Sequence, residues 1–129
     1  MTIELACLLI IAIALPVASI VAAGFYSSQV GLDGLAGNRE DLPAPSGLAG
    51  RSRRAHFNLL ENALPFAIVV LMAHLLGVSN AWTTAGAVVF VAARLVHFVS
   101  YAAGIRMLRT LAFYAGLFAT VAIAAQLLR

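Results

Sequence analysis

Lysine is absent from this chain of 129 residues: the eight strongly basic side chains are all arginine, set against five carboxylates. Charged residues make up 10% of the chain, whereas a soluble domain carries about 25%. So few charges exclude an ordinary water-soluble domain. They also exclude a nucleic-acid partner, since no long basic run is present to follow a phosphate backbone. The single cysteine, Cys7, rules out an intrachain disulfide and leaves the redox compartment unread. No Ser-His-Asp set, phosphate-binding glycine loop or haem motif occurs. His56, His74 and His97 do not fall at ligand spacing, so no metal is expected. Internal repeats and low-complexity segments are missing too. Arginine presents a planar fork that suits carboxylates, and biased codon usage would produce the same exclusive count.

What the chain has is apolar length. Hydrophobic residues make up 63% of it, and the mean hydropathy is +1.00. It reads as one all-α integral membrane domain, a four-helix bundle with spans at about 3–26, 51–76, 81–103 and 108–128. Each is long enough to cross a hydrocarbon core of roughly 30 Å. The first span is apolar apart from Glu4. Pro16 predicts a kink in it, and Ala14, Ala18 and Ala22 form a small-residue stripe that lets another helix approach. This span lacks a basic start and its apolar run is too long for a secretory signal, so it reads as a retained anchor.

Residues 27–50 carry Gly31, Gly34, Gly37, Gly47, Gly50, Pro43 and Pro45 together with Asp33, Arg39, Glu40 and Asp41, which predicts a loop. Gly77–Asn80 and Gly104–Met107 predict short turns. Arg39, Arg51, Arg53, Arg54, Arg106 and Arg109 fall on the first and third connections, and the other side offers only Arg129. The positive-inside rule then puts those two connections in the cytosol and both termini outside.

Polar residues inside these spans are costly and mark function by default. Arg54, Asn58 and Glu61 stand at i, i+4 and i+7, within roughly 60° of one helix face, and Arg51 and Pro65 fall on the same side. In the third span Arg94, His97 and Tyr101 share a face in the same way. Arg94 needs a partner at mid-span, and an antiparallel hairpin offers Glu61. Their pairing could equally be a structural lock on helix register. Arg51, Arg54, Asn58, Glu61, Arg94, His97, Tyr101 and Arg106 form the candidate binding set, with Arg109 beside them. Forked arginines with a carboxylate, an amide and a phenol suit a small ligand carrying two carboxylates and an ammonium group. The lipid alongside suits a hydrophobic second substrate.

The run Arg51-x-x-Arg54-Ala-His56-x-Asn58-x-x-Glu61-x-x-x-Pro65-Phe66 resembles the motif of the MAPEG family, the membrane-associated proteins of eicosanoid and glutathione metabolism. Arg94-x-x-His97-x-x-x-Tyr101 followed by Arg106 and Arg109 resembles the second family motif as bacterial members carry it. Gln29-Val30 resembles the family more weakly. The resemblance covers nearly the whole chain. It implies a homotrimer in a bacterial inner membrane, with glutathione held as co-substrate between neighbouring subunits near the cytosolic face. Arg54, Asn58, Glu61, Tyr101 and Arg106 would contact glutathione, and His97 would line the pocket. The arginine after Tyr101 would stabilise the thiolate: Arg109 is the first choice and Arg106 the alternative, so Arg109 and Tyr101 are the expected catalytic residues. The implied reaction is transfer to a lipophilic electrophile or reduction of a hydroperoxide. Two departures stand out. Gly31, Leu32 and Asp33 follow Gln29-Val30 where several relatives carry arginine, and Phe57 stands where some carry a polar or basic residue. A non-catalytic membrane scaffold, or a binder of another small anion, is the competing reading.

Overall fold

A computed structural model describes residues 1–128; Arg129, the one arginine assigned above to the opposite membrane side, lies outside the described residues. Four helices run in order among them: α1 (Ile3–Ala36), α2 (Gly47–Leu75), α3 (Ala81–Ala103) and α4 (Arg106–Gln126). All four are long and apolar enough to cross a membrane, and leucine, isoleucine, valine and phenylalanine cover much of the outer surface. A helix satisfies its own backbone polar groups, which is what a chain in lipid requires. The protein is an integral, multi-pass membrane protein.

The polar stretch 27–50 corrects the expectation of a loop. Helix α1 runs on to Ala36 and α2 starts at Gly47, so only 37–46 connects them. Helix α1 also contains a break that the sequence reading did not anticipate: backbone angles leave the helical range at Gly31 (φ 76°, ψ 167°). Gly31 tolerates that conformation because it has no Cβ, and helix resumes beyond it. The Gln29 side chain fixes the return of the chain. Its Nε2 donates to Ser46 O (3.0 Å), and its Oε1 accepts from Ser46 N (3.2 Å). One amide thus pairs with the backbone as a neighbouring strand would. The Tyr26 hydroxyl adds a hydrogen bond to Pro43 O.

The core lies between α1, α2 and α3 and continues to α4 through small residues. Ala18 and Ala22 are buried, with Ala14 partly so, which places the alanine stripe against the bundle. Along α2 the buried positions Ser52, Ala55, Leu59, Ala63, Phe66, Val70 and Ala73 recur at helical spacing. Phe66 stacks on Phe90 of α3, with ring centroids 3.9 Å apart and planes 4° from parallel. Helices α3 and α4 approach closely where α3 carries glycine, which leaves room for Ile123 of α4. A Cβ on Gly86 would stand 2.7 Å from Ile123 Cγ1 and 3.1 Å from Ala119 O. Helix α4 begins at Arg106, two residues before its expected start at Leu108, so Arg106 and Met107 belong to its first turn.

The other end of the bundle holds a polar cluster whose significance the sequence did not reveal. Glu4 is only 3% exposed. Its Oε1 accepts from Thr83 Oγ1 (2.6 Å), Thr84 Oγ1 (3.0 Å) and Ser79 Oγ (3.1 Å), tying the start of α1 to the α2–α3 turn and the start of α3. Thr83 is also half of a capping box, because its hydroxyl accepts from Asn80 N while the Asn80 side chain accepts from Thr83 N. Thr83→Val removes both roles and leaves a buried carboxylate short of a donor. A loss of roughly 1–3 kcal/mol is expected, read from unfolding by sodium dodecyl sulfate in detergent. Thr84→Val should cost less, because Thr84 has no part in the cap.

Candidate functional site at the arginine-rich end

Arg94 organises this end of the bundle. It is 1% exposed, and its guanidinium lies between two aromatic rings, 5.3 Å from the Phe90 centroid and 5.6 Å from that of Phe113. Nη1 donates to Asn58 Oδ1 (3.3 Å) across to α2, and Nη2 donates to Phe113 O (2.9 Å) across to α4. That carbonyl belongs to a helix, but it has two lone pairs and accepts a second donor. Nε is buried without a partner. Room for the group exists because position 116 is glycine: a Cβ there would collide with Nη2 and stand 2.7 Å from Nε.

The expected partnership of Arg94 with Glu61 is not formed. Glu61 is exposed on the outer side of α2, and Asn58, one turn earlier, takes the guanidinium instead. Asn58 and Glu61 stand about 60° apart around α2, with Glu61 on the side away from the buried stripe, so only the amide reaches the guanidinium. Asn58 is itself braced by Asn62, whose Nδ2 donates to Asn58 O (2.8 Å).

One turn further along α3, His97 is 3% exposed. Its ring meets Tyr101 edge-on at 5.6 Å and lies 6.3 Å from the Phe113 ring. Arg109 of α4 reaches back over Tyr101, with its guanidinium carbon 4.7 Å from the ring centroid. Such stacking holds a cation in place by the ring's face while leaving its N–H edge available. The Tyr101 ring and the Arg109 guanidinium therefore lie together, half-buried, between α3 and α4.

The remaining candidates divide. Arg51 Nε donates to Ala102 O (2.8 Å) in the last turn of α3, where a cation meets unpaired carbonyls and the negative helix end. Arg54, Glu61 and Arg106 are exposed on the single chain. The described structure thus brings Asn58, Arg94, His97, Tyr101 and Arg109 into one continuous seam. Arg54 and Glu61 stand outside it, on the side of α2 nearly opposite its buried stripe, roughly 135–160° away, and Arg106 stands outside it in the first turn of α4. No group of three or more His, Cys, Asp or Glu side chains able to hold a metal occurs among the described residues.

The profile of the MAPEG family matches residues 3–129. The chain belongs to the MAPEG family. No curated protein and no solved structure shows a significant match to it. Within this MAPEG chain, Gln29 gains a physical reason that spacing could not supply, since it clips the α1–α2 connection onto α1. The Phe113 carbonyl and Gly116, which make Arg94 possible, carried no sequence signal: one is backbone and the other is a glycine in a chain with ten.

Proposed function

We propose that this protein is a glutathione-dependent membrane enzyme, conjugating a lipophilic electrophile or reducing a hydroperoxide through a thiolate held by Arg109. Family membership supports the glutathione connection. The observation that carries the chemistry is the Arg109 guanidinium stacked on Tyr101. A fixed cation beside sulfur favours the thiolate, which is the nucleophile. Tyr101 supplies a phenol for a hydrogen bond at the same place. In conjugation the thiolate forms a carbon–sulfur bond as the leaving group departs with its electron pair. In peroxide reduction two glutathione molecules are oxidised to the disulfide while the hydroperoxide becomes alcohol and water. Arg94 serves as a positioning residue, because it reaches ligand only through Asn58.

Arg54, Glu61 and Arg106 are solvent-facing on one chain, so a pocket that includes them closes against a second copy. A homotrimer with glutathione between neighbours fits this, with the arginine-rich end in the cytosol and the bundle in a bacterial inner membrane. One specific set of observations favours a second reading, a non-catalytic scaffold. Arg94 and Arg51 are committed to contacts within the chain, and Gly31 and Asp33 lack the cation expected after Gln29-Val30.

A single experiment separates the two. Glutathione is titrated into the purified protein, with ultraviolet absorbance and detergent-corrected mass recorded together. The enzyme reading expects a thiolate band at neutral pH and a mass of three chains. Absence of binding at millimolar glutathione would sink the enzyme reading and favour a scaffold or a binder of another small anion.

A further inference from the structure

Two half-buried amides, Asn58 and Asn62, stand one turn apart on α2, and the hydrogen bonds around them fix which end of each is turned inward. Asn62 Nδ2 donates to Asn58 O (2.8 Å) and lies 3.4 Å from Asn58 Oδ1. A backbone carbonyl only accepts, so Asn62 can turn only its nitrogen to it. Arg94 Nη1 donates to the same Asn58 Oδ1 (3.3 Å). A guanidinium has no acceptor, so the oxygen of Asn58 is the end that faces α3. Two donors, one from α2 and one from α3, therefore converge on one oxygen. Asn58 Nδ2 has no partner among the described residues. Nor is it buried, because the buried side-chain atoms left without a partner among those residues are Glu4 Oε2, Ser52 Oγ and Arg94 Nε. The amide nitrogen thus opens at the surface of α2 as a free donor. A polar group inside a span is costly unless something takes it up.

We propose that Asn62 is a positioning residue: together with Arg94 it locks the Asn58 amide so that Nδ2 faces outward and takes a carboxylate of glutathione. The ligand half of this proposal rests on the glutathione reading above, and the orientation half rests on the hydrogen bonds alone. Charge decides the class of group. The Arg94 cation on Oδ1 draws electron density through the amide and makes its N–H a stronger donor, and an anion on Nδ2 polarises the amide in the same sense. Asn58 thereby carries the pull of a guanidinium that is itself only 1% exposed out to the surface. An ammonium group is excluded at this point, since it too can only donate. Without Asn62 the Asn58 amide is held from one side, and its freedom to rotate costs affinity. Tyr101 and Arg109, which carry the proposed thiolate chemistry, lie on α3 and α4. The effect of Asn62 therefore falls on binding and not on the ionisation of sulfur.

The test uses the full chain in detergent micelles. Hydrogen exchange of the side-chain amides is followed by nuclear magnetic resonance with isotopically labelled asparagine, and glutathione affinity and thiolate absorbance are measured in parallel. Before ligand is added, the Asn62 amide should be protected and the Asn58 amide should exchange freely; glutathione should then protect Asn58. Asn62→Leu keeps the volume and removes the donor. It should weaken glutathione binding about 5- to 10-fold and leave the thiolate absorbance of the saturated complex in place. Asn62→Gln keeps the amide on a longer stem and should recover part of that loss. In an Asn58→Ala background, Asn62→Leu should change affinity by less than about twofold. An Asn58 amide already protected without ligand overturns the orientation. An equal loss from Asn62→Leu with and without Asn58, or a loss of thiolate absorbance in place of affinity, overturns the positioning role. Glutathione binding that Asn62→Leu leaves untouched overturns this proposal alone. Failure of the wild type to bind glutathione sinks the glutathione reading and the ligand assigned here with it, while the exchange pattern without ligand still decides the orientation.

Discussion

Gly116→Ala is expected to destabilise the bundle by about 3 kcal/mol or more, although it adds one methyl group to a helix. Alanine is the better helix former by about 1 kcal/mol, so local propensity predicts the opposite sign. Packing decides the outcome. The added Cβ would collide with Arg94 Nη2 and stand 2.7 and 2.8 Å from Nε and Cζ. The guanidinium has nowhere to retreat, because Phe90 and Phe113 flank it and Asn58 and Phe113 O hold its two terminal nitrogens. Displacing it would leave a buried charge unpaired in the membrane, a cost of roughly 3 kcal/mol at mid-span by insertion scales. Gly24→Ala is the matched control, since nothing lies within 4 Å of a Cβ there; it should leave stability unchanged or slightly raised. Detergent unfolding measures both. In Arg94→Met the obstacle is a slimmer, uncharged chain, so the Arg94→Met, Gly116→Ala double variant should lose less than the sum of the singles. Strict additivity would show that Arg94 is not locked against α4.

The same residue shows where sequence reading ends. The four helices were legible because lipid demands long apolar runs, and the turns at Gly77 and Gly104 were legible because glycine marks chain reversals, with φ positive at both. A shared face for Arg94, His97 and Tyr101 followed from spacing alone. The partner of Arg94 did not, since it depends on register between α2 and α3 to within one turn and on a backbone carbonyl of α4. The helical stretch 27–36 was hidden by glycines that normally end helices; here Gly31 only interrupts α1, and the helix ends at Gly37. Glu4 looked like a stray charge near the start of a span. Its meaning lies in three hydroxyls about eighty residues away, and no local pattern joins them.

Arg109→Ala is expected to lower kcat/KM with glutathione by between about 10- and 100-fold at neutral pH, if the thiolate depends on the cation placed over Tyr101. The sign with pH follows from the charge. An ordinary thiol ionises near pH ~8.5. A fixed guanidinium favours the ionised form, so bound sulfur in the wild type would be thiolate already below that pH. Without Arg109 ionisation moves back toward the ordinary value, and the lost activity should return as pH rises. Arg109→Lys keeps the charge and loses the planar contact with the Tyr101 ring at 4.7 Å, so an intermediate profile is expected. Arg106→Ala, on an exposed residue in the first turn of α4, should raise KM and leave the profile in place. The shape of the profile also separates catalysis from packing, because a variant that only loosened the α3–α4 contact would lose activity by the same factor at every pH. A profile shifted by Arg106→Ala and untouched by Arg109→Ala would transfer the thiolate role to Arg106. The stacked pair of Arg109 and Tyr101 would then be a structural contact.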